Sequence, residues 1–340
     1  MYSLEIPIMQ VPEWSALMQE FDDASIYQTW SCGAALWGAQ RLSHLVLRCG
    51  EEVFGLAQVA AIQAPLFRAG TALVFWGPLW QRHGKPRDTE ICAVLMAALR
   101  DEFVEKRGML LRIIPHALGL YGTDVRAAAE TAGFHWKGCI YRTYLLDISQ
   151  PPGQIRTHLR SNWRNHLKQA EQKRLTVTRG TGLERYDIFY GLFAEMQRQK
   201  QFTESSFDPV RLRAIQQDLP DRLKTQIFLC SRDEEPVAGA VVSAAGDTAI
   251  LLLAASSGEG RTLKASYFLQ WKVIEWLQSQ GVRFYDLGGT KHAIPGVNHF
   301  KEGLGGKDVC HAGLFELCRN TASSLFDRSL GIMRSTFDAR

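Results

Sequence analysis

The feature that most constrains the fold is an order of secondary structure that occurs twice along the chain. Residues 45–59 are typical of an antiparallel hairpin, in which two β-rich runs flank a short acidic turn, and residues 227–242 repeat that arrangement. Each hairpin is followed by an apolar strand, a helix and a closing strand, at residues 72–114 and 249–287. This order predicts an α+β chain with two mixed, twisted sheets flanked by helices. The alternative is that two α+β halves resemble each other by chance.

The segment between the repeats, residues 151–220, is predicted to be mostly helical. A Pro-Pro-Gly break at residues 151–153 precedes apolar residues at every fourth position, which predicts one apolar helix face. These apolar residues are Ile155, Leu159, Trp163 and Leu167. A short strand at residues 175–178 and helices at residues 183–200 and 210–219 follow.

The position of this helical segment sets the expected domain boundaries. We expect a first domain over residues 1–145 and a second over residues 146–320. Residues 321–340 have weak periodicity and are expected to form a peripheral segment.

Composition indicates a globular protein. Of 340 residues, 46% are hydrophobic and 22% are charged, and the formal net charge is +4, which permits an anionic partner without requiring one. No signal peptide is visible, and no apolar run reaches the roughly 18 residues of a spanning helix. The cysteines never form Cys-x-x-Cys, which favours reduced thiols in a cytoplasmic protein and neither a disulfide framework nor a zinc site. They are Cys32, Cys49, Cys92, Cys139, Cys230, Cys310 and Cys318.

Two glycine-rich motifs near the end of the second repeat carry most of the functional information. Tyr-Asp-Leu-Gly-Gly at residues 285–289 places paired glycines where a predicted strand ends, so the backbone can turn sharply or let a ligand approach. Phe-Lys-Glu-Gly-Leu-Gly-Gly at residues 300–306 places Lys301 between an aromatic residue and glycine. This arrangement is typical of a site where negative charge develops on a substrate.

The two motifs resemble the carboxy-terminal signature of the Fem family of peptidyl transferases and of the related acyltransferase-6 group. Those proteins carry Tyr-Asp-[Phe/Leu]-Gly-Gly followed by Phe-Lys-x-Gly-[Phe/Leu]-Gly-Gly. The Gly-Pro pair at residues 77–78 and the run from Thr143 through the arginine-rich residues 159–165 agree with the same family. The resemblance spans roughly residues 25–317. It implies two acetyltransferase-like (GNAT) domains that join an acyl or aminoacyl group to an amine.

A glycine-rich loop at residues 256–266 is the predicted donor site. In acetyltransferases this strand-to-helix loop wraps the pyrophosphate of coenzyme A with backbone N–H groups and a helix N-terminus. Arg261 would add positive charge; a plain loop capped by Thr262 is the alternative. The donor-binding candidates are Gly258, Gly260, Lys264, Gly288 and Gly289.

Lys301 and Asp286 are the predicted catalytic residues. Lys301 could stabilise the tetrahedral oxyanion or hold a donor phosphate, and Asp286 could accept a proton from the attacking ammonium or cap a turn. His292 and His299 are candidate bases or substrate contacts, but they lack a third residue at metal-ligand spacing, so no metal is expected. No Gly-x-Ser-x-Gly motif is present, which favours direct attack by the amine.

Four basic residues from Arg156 to Lys168 recur four positions apart, which predicts a basic stripe along one helix. The stripe is either a solvated face or a set of phosphate contacts made by Arg160 or Arg164. Together with the two motifs, it completes the set of predicted substrate-binding residues. They are Arg160, Arg164, Tyr285, Phe300 and His299.

These residues predict an N-acyltransferase that acts on an amine of a cell-envelope precursor or polysaccharide sugar. The donor would be acyl-coenzyme A or aminoacyl-tRNA, with no tightly bound cofactor, and the acceptor a small-molecule or lipid-linked amine, with the protein peripheral to a membrane in the latter case. Residues 27–36 lack the lysine of muropeptide-using Fem enzymes, and Ile114 replaces the usual acid before Pro115. A peptidoglycan acceptor therefore stays open. The alternative is a degenerate GNAT pair that binds RNA or an envelope precursor without turnover.

Overall fold

The computed structural model describes residues 2–64, 68–117, 120–200, 207–289 and 295–330. The candidate base His292 lies outside these residues. Among them, no helix has both the length and the apolar character needed to cross a lipid bilayer.

Strands and helices alternate through both halves of the chain. The strands are β1 (Tyr2–Glu5), β2 (Leu42–Cys49), β3 (Glu52–Gln63), β4 (Gly70–Phe75), β5 (Leu110–Ile114), β6 (His135–Trp136), β7 (Arg142–Asp147), β8 (Leu175–Gly180), β9 (Gln226–Arg232), β10 (Glu235–Ser243), β11 (Thr248–Ser256), β12 (Phe284–Gly289), β13 (Lys307–Cys310) and β14 (Phe315–Leu317). The α-helices are α1 (Val11–Met18), α2 (Trp30–Trp37), α3 (Thr89–Leu99), α4 (Leu120–Thr131), α5 (Pro152–His158), α6 (Ser161–Glu171), α7 (Leu183–Lys200), α8 (Pro209–Asp218), α9 (Gly258–Thr262), α10 (Ala265–Ser279), α11 (Pro295–Gly303) and α12 (Thr321–Leu330). A π-helical segment, Arg100–Lys106, extends α3.

The chain forms two compact units, each with its own sheet. The first unit comprises Met1–Arg142 and the segment from Cys310, and the second comprises Thr143–Val309. In the first sheet the strand order is β1-β2-β3-β4-β5-β14-β6, and in the second it is β8-β9-β10-β11-β12-β7-β13. One central pair is parallel in each sheet, β4 with β5 and β11 with β12. The two units therefore share one strand order, as the repeated sequence pattern predicts.

Each unit buries its own apolar core between its sheet and its helices. In the first unit Leu95 of α3, Phe103 and Phe315 of β14 are fully buried in one cluster. In the second unit α10 packs against β9, β10 and β11, and Leu269 and Tyr285 lie in the corresponding cluster. The long helix of each repeat thus covers one face of its sheet.

The turn residues explain why the two hairpins form where the sequence predicts them. Asp233 and Glu234 both have positive φ, 47° and 71°, between β9 and β10. Two consecutive positive φ values characterise the type I′ turn, whose twist matches that of the flanking strands. In the first unit Gly50, with φ of 60°, supplies the left-handed residue between β2 and β3.

The C-terminal part of the chain departs from the expected domain boundaries. Residues 310–320 belong to the first unit because β14 pairs with β5 and β6. The helix α12 is docked rather than peripheral: the Ser323 hydroxyl donates to the Gly108 carbonyl at 2.6 Å, and Asp327 receives two hydrogen bonds from Arg112. The sequence around β14 is too short to reveal this pairing across 200 residues.

A disulfide between Cys139 and Cys310 contradicts the expectation of reduced thiols throughout. Their Cα atoms are 6.2 Å apart although 171 residues separate them in sequence. Two backbone segments bring them together, because the His311 N–H donates to the Tyr141 carbonyl and the Leu314 N–H to the Gly138 carbonyl. Cysteine spacing along the chain cannot show such a pairing, so it does not decide the redox compartment.

The basic helix predicted from residue 154 is two helices. Leu159 and Arg160 have extended ψ values of 137° and 149°, and they separate α5 from α6. The predicted apolar face is nevertheless buried, from Ile155 through Trp163 to Leu167. The stripe of four basic residues is therefore interrupted, and Arg160 is the N-cap residue of α6.

Candidate functional site

A cavity of about 250 Å³ lies in the second unit, where β11 leads into α9 and α10. The predicted donor loop forms one side, and the first turn of α10 and the helix α11 contribute the rest. The lining residues are Gly260, Arg261, Lys264, Ser266, Tyr267 and Phe300. Ser266 ends the predicted loop but was not among the donor-binding candidates, and the sequence analysis missed Tyr267, three residues after Lys264 in the first turn of α10.

The glycine loop is shaped by close packing rather than by an open nest of N–H groups. The Gly260 N–H donates to the Ser257 hydroxyl at 3.0 Å, which caps α9. A Cβ atom at Gly260 would lie 2.1 Å from the Val237 carbonyl oxygen, so only glycine fits against β10 here. The Gly260 N–H therefore does not fit the predicted role of binding an anion, because it already donates to the Ser257 hydroxyl within the loop.

Positive charge in the cavity comes from side chains and from a helix end. Lys264 is half-buried at the start of α10 with φ of 61°, and it forms no ion pair with the described residues. The Arg261 guanidinium donates to the Ser256 carbonyl and to Gln199 Oε1, which fixes it at the rim. The N-terminus of α10 adds partial positive charge. These groups together suit a phosphate-bearing ligand.

Aromatic rings form the wall beside these charges. Trp163, Tyr267 and Phe300 pack together with ring centroids 4.9–5.7 Å apart. His166 lies 4.7 Å from the Tyr267 ring, and burial, followed by the nearby Lys264 charge, lowers its pKa. The cavity is thus basic at one end and apolar at the other, as a phosphate-linked acyl chain requires.

Lys301 lies on α11 directly after the cavity residue Phe300. Its side chain is only 8% exposed, and Nζ donates to the carbonyl oxygens of Gly288 and Gly289, both at 2.8 Å. Gly288 has φ of 81°, which turns its carbonyl toward the lysine at the end of β12. The two glycine motifs therefore meet in space, and the paired glycines serve as acceptors for the lysine ammonium.

Asp286 and Tyr285 occupy buried positions beneath this turn. The Asp286 carboxylate is fully buried and accepts hydrogen bonds from Thr143 Oγ1 and, at 2.7 Å, from the Gly288 N–H. This is the turn-capping alternative raised from sequence. Tyr285 is also fully buried, and its hydroxyl donates to Gln270 Oε1 at 2.9 Å. Direct substrate contact by Tyr285 does not fit this burial.

The predicted substrate-binding arginines are engaged within the second unit. Arg160 Nη1 pairs with Glu302 Oε2 at 3.0 Å, and Arg164 donates to the Thr157 carbonyl at 3.1 Å. Both side chains remain partly exposed, so Arg164 keeps donors for a phosphate whereas Arg160 already has a carboxylate partner. His299 is exposed on α11.

A ring cluster in the first unit was not anticipated from the sequence. Trp76 follows β4 and His116 lies two residues after β5, at the carboxyl ends of the parallel pair. Their ring centroids are 5.0 Å apart, and His311 lies 4.5 Å from Trp76 and 4.9 Å from Tyr141. The sequence signal is a ring residue close to a proline after each strand, Trp76 two positions before Pro78 and His116 directly after Pro115. In the structure the Gly77–Pro78 bond is cis.

Residues 156–302 match the model of a protein family described as acetyltransferase (GNAT) domain. The second unit is a GNAT acyltransferase domain. The chain is thus an enzyme of the acyltransferase class, and its donor is a substrate of the reaction. No significant match was found among curated proteins. Among the described residues, no group of three or more His, Cys, Asp or Glu side chains could hold a metal ion.

Solved structures with low sequence identity share the fold of this chain over nearly its whole length. A structure described as FemX shares 15% identity with a TM-score of 0.77, covering 96% of this chain and 99% of that chain. The structure of L-PGS from Bacillus licheniformis shares 14% sequence identity with a TM-score of 0.56, covering 96% of this chain and 98% of that chain. A C-terminal domain assigned to a lysylphosphatidylglycerol synthetase from Agrobacterium fabrum shares 14% sequence identity with a TM-score of 0.53, covering 93% of this chain and 96% of that chain. The tandem GNAT-like architecture expected from the sequence is confirmed.

Proposed function

We propose that this acyltransferase takes an acyl group from acyl-coenzyme A bound in the cavity of the second unit and transfers it to an amine. The observation that carries the proposal is the cavity itself, which joins Lys264 and the α10 N-terminus to an aromatic wall ending at Phe300. The phosphates of the donor would bind at the basic end, and the acyl chain would follow the rings toward Lys301. Such a donor implies a cytoplasmic reaction, where coenzyme A is available.

The proposed chemistry is direct transfer. The amine nitrogen, once neutral, attacks the thioester carbonyl carbon, a C–N bond forms, and a tetrahedral oxyanion develops. The C–S bond then breaks, and the amine proton is lost to solvent as the thiolate of coenzyme A leaves. In this proposal the ammonium of Lys301, which donates to the Gly288 and Gly289 carbonyls at the end of β12, stabilises the oxyanion. Asp286 would act indirectly by holding the Gly288 turn.

An aminoacyl-tRNA donor is the second candidate, because it shares an activated carbonyl and phosphates with acyl-coenzyme A. The resemblance to the Fem family and the fold shared with FemX favour it. For the acceptor we propose an amine of a cell-envelope precursor or polysaccharide sugar, small or lipid-linked. The fold shared with a lysylphosphatidylglycerol synthetase domain supports a lipid-linked acceptor at the membrane surface.

Calorimetric titration separates the donors. We expect coenzyme A and acetyl-coenzyme A to bind the wild-type protein, and a 3′-aminoacyl-adenosine mimic to bind more weakly. Tighter binding of the mimic would replace acyl-coenzyme A with aminoacyl-tRNA as the donor. Release of free coenzyme A thiol in the presence of an amine panel, with matched alcohols as controls, then measures transfer. Donor binding without amine-dependent thiol release would favour the binding-protein alternative.

A further inference from the structure

We propose that Glu302 is a positioning residue that holds Lys301 in its working geometry through a clamp formed with Tyr144 and Arg160. The assignment rests on the proposed acyl transfer only for its effect on turnover. The clamp itself concerns only the position of the Lys301 side chain, and the accessibility of that side chain can be measured without any substrate.

The clamp consists of two polar contacts to one carboxylate. The Tyr144 hydroxyl on β7 donates to Glu302 Oε1 at 2.8 Å, and Arg160 Nη1 lies 3.0 Å from Glu302 Oε2. Each oxygen of the carboxylate thus has its own donor, one from the sheet and one from the start of α6. A carboxylate with two donors from separate elements fixes both the position and the rotation of the helix that carries it.

Backbone contacts attach the same end of α11. The Arg160 N–H donates to the Gly303 carbonyl at 2.9 Å. A Cβ atom at Gly306 would lie 3.0 Å from Tyr144 Cβ, so the chain after α11 passes close to the tyrosine that donates to Glu302. The end of α11 and the chain after it are therefore held at Glu302, Gly303 and Gly306, all within five residues of Lys301.

Lys301 depends on this attachment because its own contacts are made with backbone carbonyls of a different element. Its Nζ reaches the Gly288 and Gly289 carbonyls only while α11 keeps its distance from the end of β12. Lys301 and Glu302 are adjacent on the helix and point to different sides, so a rotation of α11 that frees Glu302 also withdraws Nζ.

The protonation states suit a permanent clamp. The hydrogen bond from Tyr144 holds the pKa of Glu302 below its usual range, and burial, followed by Glu302, raises the pKa of Tyr144 to about 12. The carboxylate and the phenol therefore keep their acceptor and donor roles through the neutral range. The clamp also explains why Arg160, predicted as a phosphate contact, already has a partner.

The test compares Glu302→Ala, Glu302→Gln and Tyr144→Phe with Asp187→Asn. Asp187 is a matched control because it forms a two-contact ion pair with Arg213 in the same unit, away from α11. Lysine accessibility is measured by brief reductive methylation with formaldehyde and a borane reductant, followed by mass spectrometry of the peptide that contains Lys301. Turnover and KM are measured on the same preparations, and circular dichroism checks that each variant is folded.

We expect Lys301 to be protected in the wild type and in Asp187→Asn and to be methylated several-fold faster in Glu302→Ala. Glu302→Gln keeps an acceptor for Tyr144 and should recover part of the protection. Turnover of folded Glu302→Ala should fall about tenfold or more while the KM values stay within about twofold, as expected for misplacement of a fixed group. Lys301 protection equal to that of the wild type in folded Glu302→Ala would overturn the proposal. Because methylation needs no substrate, an inactive wild-type protein would refute the proposed function alone.

Discussion

Two lysines in the second unit carry positive charge in different ways. Lys301 is buried and fixed by two carbonyl acceptors, whereas Lys264 is half-buried beside the cavity and forms no ion pair with the described residues. A fixed ammonium can act on charge that develops at one point, and an ammonium beside a cavity can attract an anion that arrives from solvent. The two residues should therefore affect turnover and donor affinity separately.

Substitution of Lys301 tests its proposed role in the transition state. Lys301→Ala should lower turnover by about two orders of magnitude, and Lys301→Arg should recover only part of it because a guanidinium is planar and displaced. Steady-state kinetics at saturating substrate give the comparison. Near-equal turnover of Lys301→Ala and the wild type would remove Lys301 from the mechanism.

Lys301→Ala should also lower the stability of the protein, because the lysine side chain is buried. The change leaves the Gly288 and Gly289 carbonyls without their donor in a buried turn, at a cost of about 1–3 kcal/mol. Urea unfolding measures the free energy difference. An unchanged midpoint would mean that the ammonium is not bound to these carbonyls in solution.

Substitution of Lys264 tests the anion site. Lys264→Ala should weaken coenzyme A binding about five- to tenfold, as the loss of one charged contact to a phosphate predicts. Lys272→Ala is the matched control, because Lys272 lies on the same helix but pairs with Glu275 at 2.7 Å. Calorimetry at low and high salt should show the difference shrinking as salt rises. Equal effects of both variants would place the donor elsewhere.

At the scale of elements, the loop between β11 and α10 has two glycines with different requirements. Gly260 lies against β10, where a Cβ would meet the Val237 carbonyl, while at Gly258 the nearest side-chain atom would be 3.7 Å away. One glycine is required by a close approach of two backbones, and the other is not. The sequence shows both glycines but not which one is packed.

The pair of glycines gives a direct comparison. Gly260→Ala should destabilise the protein by about 1–3 kcal/mol through overpacking and weaken donor binding by displacing Arg261 and Lys264. Gly258→Ala should change stability by less than about 0.5 kcal/mol, as expected at a position without crowding. Thermal unfolding and donor titration of the two variants decide the matter. Equal stability of both would show that the loop is not packed on β10.

At the scale of the whole molecule, the two sheets repeat one strand order, but the sixth strand of each comes from outside the simple repeat. β7 precedes the second repeat and joins its sheet, and β14 follows the second repeat and joins the first sheet. The Cys139–Cys310 disulfide closes the first unit across the same stretch of chain. Integrity of the first unit therefore depends on the C-terminal segment.

The disulfide predicts the number of thiols that react before and after reduction. When it is unfolded without reductant, the protein should react with about five equivalents of a thiol reagent, and with about seven after reduction, because five cysteines are free. Cys139→Ser should destabilise the oxidised protein by about 2–4 kcal/mol, since the crosslink closes a long loop. It should have little effect under reducing conditions. Seven reactive thiols without reductant would show that the bond does not form.

Local patterns were enough to predict the strands and helices of the repeated core, but not the break between α5 and α6 or the strand β14. Period-two runs and left-handed turn residues fixed both hairpins, and the apolar residues from Ile155 to Leu167 are buried as predicted. The glycine motifs indicated the region of the site because each motif is a continuous run of neighbouring residues, at 285–289 and 300–306. Each of these signals depends on residues of the same strand, helix or turn, or of two consecutive ones.

Tertiary structure decided the features that join distant residues. The burial of Lys301 and Tyr285, the engagement of Arg160 by Glu302, the docking of β14 and the Cys139–Cys310 bond all depend on contacts between separate elements. A helix pattern cannot show that it breaks at Arg160, because the break is stabilised by the Gly303 carbonyl more than 140 positions later. The sequence determined which chemical groups this acyltransferase has, and only the fold determined which of them are free to act, because burial and partners are properties of the packed chain.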